Sequence, residues 1–481
     1  MNTGAPLPDL EEAKQRVLAM QTKLHRWAVA DSDRAFEDLH NLVYDPAFLV
    51  VAWNKVQVNR GSRSAGVDGV IPSRIADPGA WLACLRDDLK ARRFSPDPVR
   101  ERMIPKRSGK LRRLGIPTAS DRVVQASLKL VLEPIFEADF KPCSYGFRPK
   151  RRAQDAIAEI HFFGSPGRKY DWVFEGDIEA CFDEIDHRAL MDRVAARISD
   201  RRILALVRAF LASGLLTEAG VSRATFTGTP QGGILSPLLA NIALSVLDEH
   251  FSRKWEELGR SWTRAKRRRA GVPAYRLVRY ADDFVVMVGG ARVDAEALWE
   301  EISSVLAPMG LRLSAKKSGI CHIDEGFDFL GFRIQRRVWQ GRTGKRAVYT
   351  YPSKQSLAAI IGKVRRLTRR ARHRTLAELL QAVNRVLRGW CSYFRYGVSK
   401  RTFGYLDYCT WWRIVGWLRK RHLGLNWTKI SHRYLPGWEI RDGHTEMFRP
   451  RAETVTRYRY RGSRIPTPWD ERLDLVESRM Q

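Results

Sequence analysis

A chain of 481 residues with 44% hydrophobic and 10% aromatic content is too long for one compact core and too apolar to be disordered, so two to four domains are expected. Its 84 Lys+Arg against 53 Asp+Glu give a formal charge of +31, which points to a polyanionic partner, nucleic acid first. No run of about eighteen uncharged apolar residues is present to span a bilayer, the N-terminus lacks a signal-peptide layout, and six scattered cysteines without a Cys-x-x-Cys pair argue against ordinary zinc modules and fit reduced thiols in a cytosol.

In chain order, residues 10–40 place Val17, Leu18, Leu24 and Trp27 at helical spacing among charges and predict one or two helices. A Gly/Ser loop with Asn59, Arg60 and Arg63 follows at 59–69; its backbone N–H groups suit phosphate, although surface loops of this composition are common. Between residues 100 and 125 two short apolar pieces enclose a basic turn at 106–110. This predicted hairpin turns Lys106, Lys110, Arg112 and Arg113 toward a triphosphate, a nucleic-acid backbone or plain water. Ser120 or Asp121 is the expected cap of the helix after it, and residues 144–149, Ser-Tyr-Gly-Phe-Arg-Pro, make an aromatic–basic loop.

At 172–190 an apolar strand (Val173, Phe174) runs to Asp177, near the bulky Phe182, and a helix is predicted from about Asp186 and His187. Asp177 at the strand end is a candidate metal ligand, whereas Asp183 and Asp186 read as helix-capping or solvated acids. Thr227-Gly-Thr-Pro-Gln-Gly-Gly233 is a turn feeding an apolar helix; its glycines permit close approach of a backbone or nucleotide, with Gln231 as the polar reader. A basic insertion at 262–269 precedes Val278-Arg-Tyr-Ala-Asp-Asp-Phe-Val-Val286, a predicted hairpin with Asp282 and Asp283 at its tip beside Tyr280. Adjacent acids repel unless cations lie between them, so this tip is either a solvated turn or part of a Mg2+ site.

Residues 311–318 and 327–332 add two strand-like pieces. From Tyr351 onward 28 Lys+Arg face 10 Asp+Glu, a net +18 in 131 residues. Residues 355–372 have the spacing of a basic amphipathic helix with Leu357, Ile360, Ile361, Val364 and Leu367 on its apolar face. The aromatics from Trp390 to Trp417, mixed with arginines, serve either core packing, the commoner use, or stacking on RNA or DNA.

Taken together, these pieces resemble the reverse transcriptase–maturases encoded by bacterial group II introns. The resemblance is carried by Gly66-Val-Asp-Gly69, Ile104-Pro-Lys106 with Gly115-Ile-Pro-Thr118, Tyr145-Gly-Phe-Arg-Pro149, and Gly176-Asp-Ile178 with Cys181-Phe-Asp-Glu-Ile-Asp-His187. It continues through Gly228-Thr-Pro-Gln-Gly-Gly233 with Ser236-Pro-Leu-Leu-Ala-Asn-Ile242, then Tyr280-Ala-Asp-Asp283 and Phe329-Leu-Gly-Phe332. The order is unbroken from about residue 59 to 332 and looser to about 417.

The resemblance implies an α/β (α+β) right-hand polymerase. Its parts would be N-terminal helices and a fingers extension over 1–95, fingers and an antiparallel palm sheet over 96–340, a helical thumb doubling as maturase domain over 341–425, and a basic DNA- or RNA-binding segment over 426–481. It implies that Asp177 and Asp282, with Asp283 adjacent and the Ile178 carbonyl as a further ligand, hold two Mg2+ ions (Mn2+ substituting) for in-line attack of a primer 3′-hydroxyl on a dNTP. Lys106, Arg112, Phe182, Gln231 and Lys317 match nucleotide-binding positions, with Phe182 excluding a 2′-hydroxyl and Lys317 protonating pyrophosphate. Tyr280, Arg148 and Gly232 match primer–template positions. The expected partners are intron RNA, a DNA primer or target and dNTPs, with no membrane, in a cytoplasmic, nucleoid-associated monomer or dimer.

There are departures from the family pattern. Arg113 stands where Pro is usual, and 315–318 (Ala-Lys-Lys-Ser) replaces the usual acidic-Lys-Thr ending, which weakens the Lys317 match. The C-terminal part carries neither the cysteine pairs nor the His-Asn-His pattern of the endonuclease many relatives have, so His422, His432 and His444 read as structural or RNA-facing. Mobility would then draw its primer from elsewhere, such as a replication fork. Arg457-Tyr-Arg-Tyr-Arg-Gly-Ser-Arg-Ile-Pro466 is expected to contact DNA or intron RNA. Alternatives are a splicing-only maturase, which the clustered acids argue against, and a domesticated relative in phage defence or CRISPR spacer capture.

Overall fold

The computed structural model describes residues 7–105, 111–217, 221–223, 227–338, 344–370 and 375–470. Its central sheet has four strands in the order Ala274–Tyr280, Asp283–Gly289, Trp172–Asp177, Gly319–His322, every pair antiparallel. Asp283–Gly289 lies inside the sheet with both faces covered, which is why Phe284 to Gly289 is one continuous buried run rather than an alternating one. Phe174, Leu277, Phe284 and Val286 feed a core shared with the N-terminal helices and the Ser236–Glu257 helix. Val173, Val278, Val285 and Met287 feed a second core shared with the Ala153–Gly164 helix and the C-terminal helices.

The first helix, Leu10–Ala30, is capped by Asp9 and packs on Ala119–Asp139. Pro134 sits inside that second helix and has no N–H to give the Leu130 carbonyl four residues back. Gln21 Nε2 supplies the missing donor at 2.7 Å, and His25 Nδ1 donates to the Pro134 carbonyl at 2.8 Å. Of the four apolar residues expected on the first helix's face, Leu18 points to solvent. The cap of Ala119–Asp139 is Thr118, not Ser120 or Asp121. Its hydroxyl accepts the Asp121 N–H and its own N–H donates to the Asp121 carboxylate, a reciprocal box in which Asp121 is the third helical residue.

The predicted basic hairpin is present as Val99–Pro105 paired antiparallel with Leu111–Ile116. Its turn, with Lys106 and Lys110, lies outside the described residues. The piece at 311–318 is not a strand: only Leu313 bridges, to Ile178, and pairing resumes at Gly319. Three helices, Lys354–Arg370, Leu376–Phe394 and Lys400–Arg421, pack beside a smaller sheet of Phe327–Phe329, Phe332–Val338 and Arg346–Pro352. Phe394 and Trp417 are core residues, whereas Trp412 is exposed.

Half of the basic–aromatic segment near the C-terminus is used internally. Tyr458 and Arg461 both bond the Asp155 carboxylate and Tyr460 stacks on Phe162, while Arg457, Arg459 and Arg464 stay exposed. No helix among the described residues is long and apolar enough to cross a membrane, and all six cysteines are free thiols.

Candidate active site

The hairpin of Ala274–Tyr280 and Asp283–Gly289 closes through Ala281 and Asp282, with Tyr280 paired to Asp283. Ala281 has φ 59°, a left-handed conformation that costs a non-glycine residue about 1 kcal/mol, so its surroundings must hold it. The loop around Tyr145 does so: Tyr145 N donates to the Arg279 carbonyl and Arg279 N to the Cys143 carbonyl, each at 2.9 Å. Gly146 is needed there because a Cβ would lie 2.3 Å from Ala281 N. Arg279 is wholly buried under the turn. Its guanidinium pairs with Asp248 (2.7 Å) and donates to Asn241 Oδ1 (3.0 Å), Ser144 Oγ (2.7 Å) and the Ala281 carbonyl (3.0 Å).

Asp177 ends Trp172–Asp177 directly opposite Asp283 in register, so strand pairing alone brings these acids together, with Asp282 next in the turn. Gly176 leaves room for the Phe284 ring, which a Cβ would meet at 2.1 Å. Ile178, beside Asp177, is buried and bridged to Leu313. Ser314 N donates to the Asp177 carbonyl (2.8 Å), the Asp177 N–H donates to Ser318 Oγ (3.1 Å), and Lys317 Nζ donates to Asp177 Oδ2 (2.7 Å). The Lys317 side chain is 66% exposed, so the pair adds at most ~1 kcal/mol of stability, but it holds an ammonium against the acid.

Burial pushes the Asp282 carboxyl up from its ordinary range and Asp177 adds to this, while Arg112 and Lys317 oppose it. Burial in the cleft, then Asp282 and Asp177, push Asp283 up to about 6, although the residue stays open to solvent on one side. These shifts record carboxylates that are first partly desolvated and then crowded by one another, a setting that a divalent cation relieves. Among the described residues no three of His, Cys, Asp or Glu converge into a ready-made metal cage. A hard cation here fits only with water or substrate phosphates completing its shell, which is how Mg2+ is commonly held.

The glycine-rich turn is bonded on two sides. Thr229 N donates to the Phe182 carbonyl (2.6 Å) and Gly228 N to the Ile185 carbonyl (2.8 Å), while Gly115 N donates to the Gln231 carbonyl (2.7 Å). Gly228 (φ 82°) could not carry a Cβ without striking the Asp183 backbone at 2.6 Å, nor Gly232 (φ 122°) without striking the Gly115 carbonyl at 2.4 Å. Gly232 is thus the joint between this turn and the basic hairpin, and Gln231 is half-buried at that joint. Phe182 is half-buried, edge-on to Phe147. Arg112 is exposed on the hairpin and close enough to act on Asp282, whereas Lys106 lies outside the described residues. Tyr280 is half-buried beside Tyr393, whose hydroxyl is pushed up to about 12 by burial and then by Tyr280.

Arg148 corrects the expectation of a primer–template contact. Its side chain is 2% exposed and spends its donors internally, on Glu137 (2.7 and 2.9 Å) and on the Lys141 and Ser144 carbonyls (2.7 and 2.9 Å). It stiffens the loop under the hairpin that carries Asp282 and Asp283, with no donor left pointing to solvent. Arg279, Asn241 and Gly146 lie inside the quoted motifs but were given no role, and Asp248 was missed; the one signal for Arg279 and Asp248 was a charge inside an apolar run. Also missed was Arg122, which clasps the 59–69 loop through the Gly61 and Ser64 carbonyls, each at 2.8 Å.

Residues 104–334 match the family described as reverse transcriptase (RNA-dependent DNA polymerase), and 357–435 match the group II intron, maturase-specific domain. Protein YkfC of Escherichia coli is 37% identical over 372 residues, spanning 72% of this chain and 97% of that protein. Group II intron-encoded protein LtrA of Lactococcus lactis is 28% identical over 480 residues, spanning 85% of this chain and 78% of that protein.

Proposed function

This chain belongs to the reverse transcriptase–maturases encoded by group II introns, and from that premise we propose how its residues perform the family's reaction. It is an RNA-directed DNA polymerase with a role in intron splicing, in a family that uses divalent metal ions and binds RNA. The finer reading is that intron RNA is the template, that dNTPs are the substrates, and that the copy serves intron mobility from a DNA primer in the bacterial cytoplasm at the nucleoid. It divides the chain at about residues 95, 340 and 425 into fingers extension, fingers–palm, thumb and basic segment.

One observation carries this reading: the strand register that sets Asp177 against Asp283, with Asp282 at the turn and Lys317 on Asp177. Asp177, Asp282 and Asp283, with the Ile178 carbonyl, would hold two Mg2+ ions (or Mn2+). Such ions, when bound, draw the primer 3′-hydroxyl toward its alkoxide form and neutralise the leaving pyrophosphate. The chain's own residues do the rest. Arg112 and Lys106 bind the triphosphate from the basic hairpin, and Gln231 reads the incoming nucleotide from the joint with that hairpin. The Phe182 ring underlies the sugar and excludes a 2′-hydroxyl, Tyr280 lies beneath the primer end, and Lys317 holds the proton that pyrophosphate takes up. Asp282→Ala is expected to abolish Mg2+-dependent cDNA synthesis on an RNA template while leaving RNA affinity within about twofold, since one acid at a turn contributes little to phosphate binding. Polymerisation that survives in that variant would overturn the site.

A further inference from the structure

At the end of Ala274–Tyr280 remote from the acids, a cavity of about 430 Å³ opens between the Ala153–Gly164 helix, the central sheet and the helix Ser261–Arg269. Arg276 lines it and precedes Tyr280 by four positions, about 13 Å along a strand, so the cavity is separate from the catalytic acids. Four guanidinium groups surround it, each over an aromatic face. Arg168 lies on Phe162 (3.5 Å), Arg264 on Trp255 (4.2 Å), Arg268 on Tyr170 (4.7 Å), and Arg276 on Trp255 (4.8 Å).

The charge in this cavity is not balanced. Glu159 is buried and already taken by Arg276 and the Tyr145 hydroxyl, and Glu256 is exposed at the rim. Burial holds Arg264 below its ordinary range, with Arg276 and Arg268 pressing the same way. Arg268 Nε is buried with no hydrogen-bond partner. The helix Ser261–Arg269 that supplies two of these arginines buries no residue of its own, so core packing does not explain its position. It is held by ring contacts and by carbonyls such as that of Glu257, which accepts from Arg267 Nη1 at 2.6 Å.

We propose that this cavity binds one extruded nucleotide of single-stranded RNA, its base stacked on the Arg264 and Arg268 guanidinium planes that lie over Trp255 and Tyr170, and its phosphate against Arg168. The volume falls in the range of small-ligand pockets, and stacking on rings and guanidinium planes is how unpaired RNA bases are commonly held. Exposed Arg459 and Arg464 flank Tyr460 and Gly462 at the mouth and give the adjoining phosphates a track. Choosing RNA over another polyanion rests on the family reading above.

The test uses the full chain with its cleft filled by a preformed RNA–DNA primer–template, probed with a short single-stranded RNA carrying 4-thiouridine. Crosslinks are expected on the peptides holding Trp255 or residues 261–269, and Arg264→Ala with Arg268→Ala should remove them and weaken RNA affinity about tenfold. Lys266→Ala with Arg269→Ala removes the same charge from exposed positions of that helix and should leave affinity within about twofold, with primer extension unchanged in both variants. Should the alanine pair misfold, Arg264→Gln alone carries the same expectation in smaller degree. Crosslinks confined to other peptides, or equal losses in the two pairs, would overturn the site. So would displacement of the RNA by inorganic pyrophosphate as readily as by unlabelled RNA, which would show a phosphate site only. Failure of the family reading would appear differently, as an unmodified chain that extends no primer on RNA.

Discussion

Arg279 and Asp248 form an ion pair with no solvent access beneath the turn that presents Asp282. Removing one partner strands a buried charge and is expected to cost about 3–5 kcal/mol, whereas replacing both by apolar residues of similar volume is often tolerated. Arg279→Met should therefore lower Tm sharply, and Arg279→Met with Asp248→Leu should recover much of the loss. Polymerase activity should not return with stability, because the Ala281 carbonyl and Asn241 still lack their donor. A double variant that regains both would show that the pair serves folding alone.

Gly146 tests the same support from the buried loop packed against the turn. A methyl group at 2.3 Å from Ala281 N must displace the turn. Gly146→Ala is expected to keep the circular-dichroism spectrum and lose primer extension by about a hundredfold, since a shift near 1 Å at reacting groups has that scale of effect. Near-normal extension would mean that the turn moves without consequence.

Lys317 shares Asp177 with any cation that binds there. Without that ammonium the acids repel more strongly, so Mg2+ or Mn2+ should raise the Tm of Lys317→Ala more than that of the parent chain. Primer extension should fall by about a hundredfold, the scale of losing a positioned proton donor. Asp177→Asn with Asp282→Asn should lose the divalent-ion stabilisation altogether, and chelation should lower the parent's Tm but not theirs.

Asp121 lies in a buried capping box, and burial, helped by Asp97, pushes its carboxyl up to about 6 against the Thr118 hydrogen bonds. One of its oxygens is buried without a partner. Because the folded value exceeds the ordinary 3.8, ionising this acid costs more in the folded chain than in the unfolded one. Its contribution is best below about pH 4 and deteriorates as pH rises toward 6. Asp121→Asn is expected to stabilise the protein at pH 7 by on the order of 2 kcal/mol, with the gain vanishing near pH 4. Melts at the two pH values read this directly, and an equal effect at both would refute it.

The hairpin carrying Asp282 and Asp283 was legible because a continuous apolar run broken by two acids has few other solutions, and the basic hairpin because its apolar arms flank a polar turn. The register that sets Asp177 opposite Asp283 was not legible, because it joins strands far apart in the chain. Burial of charge was not legible. Arg148 and Arg112 look alike in the sequence, yet Arg148 is enclosed because Glu137 lies 11 positions away on a packed helix. Arg279 is hidden for the same reason, its partner Asp248 lying 31 positions upstream. Tyr458, Tyr460 and Arg461 read as a nucleic-acid strip until Asp155, about 300 positions earlier, turned out to claim two of them. Such pairings are tertiary facts that no local pattern encodes.

Trp469 returns to the first helix, donating through its indole to Gln21 Oε1 at 3.3 Å and packing on His25, the two residues that mend the carbonyls around Pro134. Synthesis runs the other way: Gln21 leaves the ribosome 448 residues before its cover does. The helices made first are thus the last to be finished, and a nascent chain carries that polar seam open throughout translation.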